Sequence, residues 1–326
     1  MNLYLIEKPE KLLEIALSKG RKEAAFYPKQ KTLFYTIKGK EIGRIDIVSE
    51  YIVEKLEKAV TSFPNIEELD PFNRELYECI IDVDKTRKSL ALIFSSAKII
   101  KNLRRNTIIE LKEMKYVYGG EKKGLNVSKT FLGRLSSIMK KLNEPIEVYN
   151  DATKKLRELP KIDTTQECYI LAGFPNAGKS TLMNKITESK PKIAPYPFTT
   201  KGLNVGYFTK RFLQIQVIDT PGLLDRPIKE RNKIELKAIA AFQYLKGTII
   251  FVVDPISNLK SQINLFNEIK KLFSDKPIWV VITKNDLATN EQIEDAKNSF
   301  VGQKIILEGK GLNNLKEELS QKTPNR

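Results

Sequence analysis

The stretch Gly173–Ser180, GFPNAGKS, fits the phosphate-binding pattern G-x-x-x-x-G-K-[ST]. It follows a short apolar run, Cys168–Ala172 (CYILA), which predicts a buried strand. It precedes the stretch TLMNKITESK, in which Leu182, Met183 and Ile186 have helical spacing. A glycine turn with a chance lysine would not need this context. Strand, glycine loop and helix together predict a P-loop, whose backbone N–H groups and helix N-terminus face bound phosphates.

Each residue type in this loop has a chemical reason to be there. Gly173 and Gly178 permit the tight turn that points N–H groups inward. Lys179 supplies a full positive charge to the β- and γ-phosphates, and the Ser180 hydroxyl is placed to bind Mg²⁺. The predicted nucleotide-binding residues of the loop are Phe174, Pro175, Asn176, Ala177, Gly178, Lys179, Ser180 and Thr181.

Short apolar runs alternate with helical stretches from about residue 161 to the end of the chain. The runs are CYILA, LNVGYF (203–208), LQIQVID (213–219), TIIFVVD (248–254), PIWVVIT (277–283) and KIIL (304–307). Strands that alternate with helices predict an α/β domain with a mostly parallel sheet and helices on both faces.

Further nucleotide-binding groups follow in the order that this fold requires. Asp219 ends a predicted strand in VIDTPG, where a carboxylate can hold Mg²⁺ and the Gly222 N–H can meet a γ-phosphate. Thr199 and Thr200 lie in PYPFTTKG, between the P-loop helix and the next strand. A threonine in such a loop closes on Mg²⁺ only while the γ-phosphate is present, which makes a switch.

The tetrapeptide TKND (283–286) follows another predicted strand and indicates the base. Lys284 can pack its stem on a purine ring, and Asp286 can accept two N–H bonds that guanine offers and adenine does not. The four motifs in this order predict GTP and GDP as ligands, together with Mg²⁺. A kinase of small metabolites is disfavoured because it has no use for TKND or for the paired threonines, so we expect no metabolite substrate besides GTP.

The composition excludes several other classes of protein. The 326 residues include no histidine and only two cysteines, Cys79 and Cys168. This excludes Ser-His and Cys-His nucleophile pairs, histidine-containing zinc sites and a disulfide framework. Two cysteines fit a reducing compartment, and we expect a cytoplasmic location. The chain has no apolar run of about 18 residues and no signal-peptide pattern at its start, so we expect no membrane partner.

The first half of the chain predicts a separate helical domain. Glu10–Lys19 and Glu41–Ser62 have helical apolar spacing, Asp70-Pro71 predicts a helix start, and helical sequence continues from about 127 to 159. Glycines at 119, 120 and 124 predict a break before that last stretch. Arg21–Lys40 stays open, since KTLFYTIKG alternates like a strand. We predict a helical bundle over residues 1–160 and the nucleotide-binding domain over residues 161–326.

The net charge of +16 is concentrated in one part of the helical domain. Between Lys85 and Lys141 there are 15 basic and 3 acidic residues. A long helix is predicted around Ser89–Tyr118, and at about 100° per residue its basic side chains fall opposite its apolar face. The outward basic residues are Lys98, Lys101, Arg105 and Lys112. A solvated face is the alternative, but few acids are interleaved to neutralise these charges, which favours binding to a polyphosphate such as RNA.

Five stretches of the sequence resemble a known family. IAPYPFTTKGLNVG, QVIDTPGLLDRP with RNKIELKAI, and FPNIEELDPF with LALIFSSAKIIKNL resemble the Obg-type GTPases, specifically the nucleolar GTP-binding protein 1 family and its archaeal relatives. The resemblance implies a GTPase that acts in assembly of the large ribosomal subunit, with ribosomal RNA and precursor particles as partners. It also implies Thr200 as the threonine that binds Mg²⁺. The expected metal ligands are then Ser180, Thr200 and Asp219, and the expected catalytic residues are Lys179, Thr200 and Gly222.

The chain departs from the usual guanine-binding pattern at two places. Thr283 replaces the usual asparagine of the guanine motif, and Glu308-Gly309-Lys310 stands where Ser-Ala is usual. Ras-type GTPases have a glutamine shortly after the glycine of the DTPG-type motif to orient the attacking water, whereas here Leu223 and Leu224 follow Gly222 and neither can orient water. Asn176 matches an asparagine that binds K⁺ in some related GTPases, the alternative being an asparagine that caps its own turn. Slow hydrolysis is therefore expected, and a nucleotide-gated RNA scaffold with negligible hydrolysis stays open.

Overall fold

The computed structural model describes residues 3–116, 121–159, 162–187, 191–194, 202–210 and 213–308. Contacts divide the chain into two compact units. One contains the residues up to Asn65 together with Ile81–Arg157, and the other contains Ile66–Ile80 together with the residues from Glu158 onward. The segment Ile66–Ile80 therefore comes early in the chain but makes its contacts with the later part, which a single boundary near residue 160 does not express.

The first unit is a bundle of helices. Its helices are α1 (Pro9–Phe26), α2 (Leu33–Ser62), α4 (Val83–Glu113), α5 (Glu121–Lys141) and α6 (Asn143–Glu158). The central helix α2 packs against α1, α4 and α5. Its inward face is the predicted one, Ile45, Val48, Ile52 and Leu56, and all four side chains are buried. The sequence-based expectation of a helical bundle is confirmed for this unit.

The structure resolves one stretch that the sequence left open and contradicts one local expectation in this unit. The strand-like stretch KTLFYTIKG is helical, because the Thr32 hydroxyl accepts the Tyr35 N–H and starts α2 there. Gly124 does not interrupt the chain but lies within α5. Apart from the neighbouring residues and the backbone of α5 itself, no described atom lies within 4 Å of the position that a Cβ would occupy there, and a helical glycine costs only about 1 kcal/mol. Gly119-Gly120 and Tyr118 lie outside the described residues.

The second unit contains a seven-stranded sheet in the order β2-β3-β4-β1-β5-β6-β7. The strands are β1 (Cys168–Ala172), β2 (Lys192–Ala194), β3 (Leu203–Lys210), β4 (Leu213–Asp219), β5 (Gly247–Val253), β6 (Ile278–Ile282) and β7 (Lys304–Leu307). The helices are α3 (Pro71–Ile80), α7 (Lys179–Ile186), α8 (Lys233–Ala241), α9 (Leu259–Leu272) and α10 (Asn290–Ser299). The six predicted runs are all strands, and β2 is an additional one. As predicted at Asp70-Pro71, the Asp70 carboxylate accepts the Asn73 N–H and caps α3.

The pairing of these strands brings the predicted motifs to one edge. β1 pairs in parallel with β4 on one side and β5 on the other, and β6 follows β5 in parallel. Among the described strands the antiparallel pairs are β2 with β3 and β3 with β4, so β3 alone runs opposite to the others. Parallel strands end at the same edge, so the segments after β1, β4 and β6 meet there. Every residue of β1 is buried, as expected of a strand covered on both faces.

Two of the exclusions made from the sequence can be compared with the structure. Burial raises the pKa of the Cys168 thiol to about 12, which leaves it protonated and unreactive at neutral pH. In the part of the chain that the structure describes, no helix has both the length and the apolar character needed to cross a membrane.

Candidate functional site

The loop between β1 and α7 has the backbone that phosphate binding needs. Gly173 has φ 136°, and a Cβ there would lie 2.4 Å from the Val252 carbonyl oxygen. Gly178 has φ 94° and stands at the N-cap of α7. Only glycine fits the first position, and the second is strained for any other residue. The loop therefore ends in a helix N-terminus that points its free N–H groups at the same space.

Lys179 lies folded beneath this loop. Its side chain is buried, and Nζ donates to the carbonyl oxygens of Gly173 at 2.7 Å and Phe174 at 2.8 Å. Its position at the loop fits the predicted role of supplying positive charge to a bound phosphate.

Asp219, at the end of β4, is the candidate metal ligand predicted from the sequence. The residue has no exposed surface, and its Oδ2 accepts the Ser180 hydroxyl at 2.7 Å and the Asn204 amide at 3.1 Å. Its Oδ1 is buried and has no hydrogen-bond partner among the described residues. An unpaired buried carboxylate oxygen is costly, and a hard divalent cation would satisfy it. The residues present therefore fit Mg²⁺.

Asn204 contacts this carboxylate but was not predicted from the sequence. It lies on β3 directly opposite Asp219 in the antiparallel pair of β3 and β4. The one signal in the sequence is the polar amide of Asn204 within the predicted strand LNVGYF. The register that places it opposite Asp219 follows only from the pairing with β4.

The segment after Asp219 places a carboxylate on the donor predicted for the γ-phosphate. Gly222 has φ 80°, and its N–H donates to Asp225 Oδ2 at 2.8 Å. Arg231, whose side chain is fully buried, bonds Asp225 Oδ1 at 3.5 Å and also donates to the Gly222 carbonyl oxygen. The pKa of Arg231 is lowered overall, because the effects of burial and of the neighbouring Arg226 exceed the opposite effects of Asp225 and Glu235. Sequence reasoning did not identify Asp225 or Arg231, because neither belongs to a phosphate-binding motif.

These groups line one cleft of about 830 Å³. Its lining residues are Pro175, Asn176, Gly178, Lys179, Ser180, Thr181, Asn204, Asp219, Pro221, Gly222 and Asp225. The P-loop, the metal candidate Asp219 and the γ-phosphate candidate Gly222 are therefore brought together. Thr199 and Thr200, predicted to complete the site, lie outside the described residues.

The guanine motif is tied to the P-loop by its threonine. The buried Thr283 hydroxyl donates to the Ala177 carbonyl oxygen at 2.6 Å, with the Val253 carbonyl oxygen at 3.1 Å. The Thr283 hydroxyl thus joins the segment after β6 to the loop after β1, a link that does not need the amide of the usual asparagine. Ala177 has a buried side chain and takes part through its backbone.

Lys284 and Asp286 lie where this segment reaches solvent. Lys284 has φ 55°, and its Nζ pairs with Asp254 Oδ2 at 2.6 Å. Burial alone would raise the pKa of Asp254, but hydrogen bonds from Lys284, Ser257 and the Ile256 N–H lower it overall. Asp286 is exposed, so its carboxylate can approach a base.

Glu308, at the end of β7, takes part in the same edge. Its carboxylate accepts Lys185 Nζ at 2.7 Å and the Lys284 N–H at 3.3 Å, and its carbonyl oxygen accepts the Asn285 amide at 2.6 Å. This residue therefore fixes the guanine motif against β7. Gly309 and Lys310 lie outside the described residues.

The four basic residues predicted to bind RNA lie on the exposed side of α4. Lys98, Lys101, Arg105 and Lys112 are all exposed, whereas Ile93, Ile100, Thr107 and Leu111 of the same helix are buried. Lys101 is partly neutralised by Glu57, whose carboxylate lies 2.6 Å from its Nζ. Lys98 lies over the Phe94 ring, 4.4 Å from its centroid. Of these four residues, Lys98, Arg105 and Lys112 have no ion pair with any described residue.

Comparison with known proteins covers both halves of the chain. Residues 2–163 match the family described as "NOG1 N-terminal helical domain", and residues 169–284 match the family described as "50S ribosome-binding GTPase". An uncharacterized protein of Methanocaldococcus jannaschii is 34% identical over 88% of this chain and 80% of its own length. Nucleolar GTP-binding protein 1 of Saccharomyces cerevisiae is 31% identical over 88% of this chain and 44% of its own length.

The chain spans about half the length of the relatives named nucleolar GTP-binding protein 1. Nucleolar GTP-binding protein 1 of Eremothecium gossypii is 30% identical over 89% of this chain and 45% of its own length. A solved structure of a candidate nucleolar GTP-binding protein 1 from Plasmodium falciparum covers 49% of this chain and 87% of its own, with 31% identity and a TM-score of 0.42. The chain belongs to the nucleolar GTP-binding protein 1 family, with a helical N-terminal domain followed by an α/β GTPase domain.

Proposed function

We propose that this chain is a Mg²⁺-dependent GTP-hydrolysing switch that binds ribosomal RNA and acts in assembly of the large ribosomal subunit. The observation that carries the enzymatic part is Asp219, a fully buried carboxylate that accepts the hydroxyl of the P-loop Ser180 and has one oxygen without a hydrogen-bond partner among the described residues. The names of the relatives and of the matched GTPase family support the ribosomal part. The predicted cytoplasmic location rests on cysteine usage alone and remains a prediction, while the relatives' names refer to the nucleolus.

The residues divide the chemistry among themselves as follows. Lys179 and the N–H groups of the P-loop bind the phosphates, and Gly222 donates to the γ-phosphate. Ser180, Asp219 and the predicted Thr200 would hold Mg²⁺, which when bound neutralises charge on the phosphate oxygens. Asp286 and Lys284 bind the base. The phosphates of RNA are bound by the basic residues of α4, Lys98, Lys101, Arg105 and Lys112. In the proposed switch, the bound nucleotide determines whether the chain is bound to RNA.

The direct test is co-sedimentation with large-subunit precursor particles. With a non-hydrolysable GTP analogue the chain should travel with the particles, and with GDP it should remain largely in the supernatant. Equal sedimentation with both nucleotides would remove the switch, and no sedimentation with either would remove the ribosomal role.

The alternative, an RNA scaffold that hydrolyses almost no GTP, is favoured by one observation. Leu223 and Leu224 are both buried and apolar, so neither side chain can orient the attacking water. Ras-type GTPases use a glutamine near this position and still turn over at only about 10⁻⁴ s⁻¹ without an activator. We expect turnover of that order or slower from the isolated chain, and an increase when precursor particles are added to the assay.

A K⁺ ion beside Asn176 is the proposed source of part of the missing charge stabilisation. Asn176 has φ 62°, a conformation that asparagine tolerates better than most residues, so the backbone alone is a sufficient reason for an asparagine here. Asn176→Gly removes the amide without straining this backbone, which Asn176→Ala would do. Turnover measured in matched KCl and NaCl should be faster in KCl for the wild type and equal in both salts for Asn176→Gly. Equal wild-type rates in the two salts would exclude the K⁺ role.

Asp225 should oppose GTP but not GDP. Its carboxylate accepts the Gly222 N–H that a γ-phosphate takes, so GTP has to displace a charged acceptor that GDP leaves in place. Asp225→Asn keeps an acceptor but removes the charge, and charge-assisted bonds exceed neutral ones by about 1 kcal/mol. We expect the ratio of GTP affinity to GDP affinity to rise by about 5- to 10-fold, as measured by competition with a fluorescent nucleotide.

The matched control is Asp295→Asn, the same substitution on an exposed residue of α10. It should leave the ratio unchanged. A ratio that also stays unchanged in Asp225→Asn would show that Gly222 does not exchange partners between the two nucleotide states.

A further inference from the structure

Two tyrosines at one end of the bundle form an exposed aromatic pair. Tyr35, in the first turn of α2, is 46% exposed, and Tyr116, just beyond α4, is 49% exposed. Their ring centroids are 6.4 Å apart and their planes differ by 20°. Aromatic rings of this size are usually buried in a core or an interface, so a near-parallel exposed pair is a candidate interaction surface.

The pair is held in place from beneath. Phe34 is 3% exposed and contacts both rings edge-on, at 5.3 Å from Tyr35 and 5.7 Å from Tyr116. Lys38 Nζ donates to the carbonyl oxygens of Lys112 at 2.7 Å and Met114 at 3.0 Å, which ties the end of α4 to the first turns of α2. The rings are therefore positioned before any partner binds, which reduces the entropy lost on binding.

The charge around the pair selects the partner. From Ala24 to Lys40 the chain contains four lysines and no acidic residue. Lys112 and Lys115 flank Tyr116, with Glu113 as the one acid between them. An aromatic surface in a cationic setting matches unpaired nucleic acid, whose bases stack on rings while its phosphates contact lysines. A protein partner of the same shape would have to bring several acidic groups.

The pair also continues the basic surface of α4. Lys112 is the last of the four predicted RNA-binding residues, and Tyr116 follows it by four residues. A strand whose phosphates follow Lys98, Arg105 and Lys112 thus reaches the two rings at its end. We propose that Tyr35 and Tyr116 form a stacking platform for an unpaired RNA base, a proposal that rests on the proposed RNA binding and specifies its mode.

The experiment compares two RNA probes on the full chain. One is a labelled single strand of twelve nucleotides without self-complementarity, and the other is a blunt hairpin of matched length and charge whose loop is a non-nucleotide linker, so that all its bases are paired. Fluorescence anisotropy at one fixed salt concentration gives the affinity for each. Tyr35→Leu with Tyr116→Leu keeps apolar bulk and removes both aromatic faces, and Tyr35→Phe with Tyr116→Phe keeps the faces and removes the hydroxyls.

The leucine pair should lose about 5- to 150-fold in affinity for the single strand and little for the hairpin, and the phenylalanine pair should bind both probes like the wild type. Tyr116→Leu alone should lose part of the single-strand affinity, and retained hairpin binding shows that the variants are folded. Unchanged single-strand binding, or an equal loss for both probes, would overturn the platform while leaving RNA binding in place. Failure of the wild type to bind either probe would overturn the proposed RNA binding together with the platform.

Discussion

Reversing Lys98 and Arg105 to glutamate should abolish binding of the chain to ribosomal RNA and leave its affinity for GTP unchanged. Both side chains are exposed on α4, while the buried residues of that helix hold it in the bundle. Lys98 and Lys112 are 14 residues apart, which is about 21 Å along a helix and long enough to follow several phosphates. Four phosphate contacts predict a log–log salt slope of roughly −3 to −4, and loss of two contacts should reduce its magnitude by about 2.

The structure decides which pair to reverse. Lys101 belongs to the predicted set, but its ammonium is 2.6 Å from the Glu57 carboxylate, so part of its charge is already compensated. Lys101→Glu together with Arg105→Glu should therefore weaken RNA binding less than reversal of Lys98 and Arg105. The glutamate introduced at position 101 would also lie beside the Glu57 carboxylate. A salt titration of each variant against the same RNA fragment measures this order.

The matched control reverses two adjacent lysines on the other unit. Lys270 and Lys271 are exposed in the last turn of α9 and are not part of the nucleotide cleft. Their reversal changes the net charge by the same amount and should matter little for RNA. If both pairs weaken RNA binding equally, the attraction is the diffuse field of a chain with a net charge of +16, and the basic face of α4 has no special role.

The sequence predicted the sheet well because each strand was an uninterrupted apolar run. CYILA, TIIFVVD and PIWVVIT lie in the interior of a parallel sheet, where both faces are buried and no polar residue interrupts the pattern. The start of α2 was harder to predict, because KTLFYTIKG contains the β-branched and aromatic residues that favour strands. There, the Thr32 cap and the packing of Phe34 outweighed local preference.

The candidate site was predictable where a motif is contiguous and unpredictable where tertiary structure brings residues together. Lys179, Ser180, Asp219 and Gly222 belong to short patterns with fixed chemical roles and line one cleft. Asn204 reaches Asp219 only through the register of an antiparallel strand pair. Asp225 and Arg231 depend on the path of the chain after Gly222, which no local spacing rule describes.

Glu308 shows the same limit from the opposite direction. The sequence indicated that Glu308 replaces a residue usual for the guanine loop, but gave no role for its charge. In the structure its carboxylate lies between Lys185 and the Lys284 N–H, so it braces the segment that carries Asp286. Glu308, which departs from the usual guanine loop, thus connects the end of β7 to α7 and to the segment after β6.

Asp286→Asn should convert the chain from a guanine-nucleotide to a xanthine-nucleotide binder. A carboxylate at this position accepts two N–H bonds from guanine, and an amide offers one acceptor and one donor instead. Xanthine carries a carbonyl oxygen where guanine carries its amino group, so the amide pairs with xanthine and opposes guanine. Each charge-assisted bond contributes about 1.5–3 kcal/mol, so two lost bonds predict a fall in GTP affinity of about 10²- to 10⁴-fold.

Competition binding with GTP, XTP and ATP on the wild type and on Asp286→Asn measures this change. Asp286 is exposed, and Asp295→Asn, the same substitution on another exposed residue, is again the matched control and should bind GTP like the wild type. The Thr283 tie to the Ala177 carbonyl oxygen does not involve Asp286, and thermal unfolding of the variant should therefore match that of the wild type. Equal affinity of the wild type for ATP and GTP would falsify the guanine assignment, since the carboxylate of Asp286 would then not be reading the base.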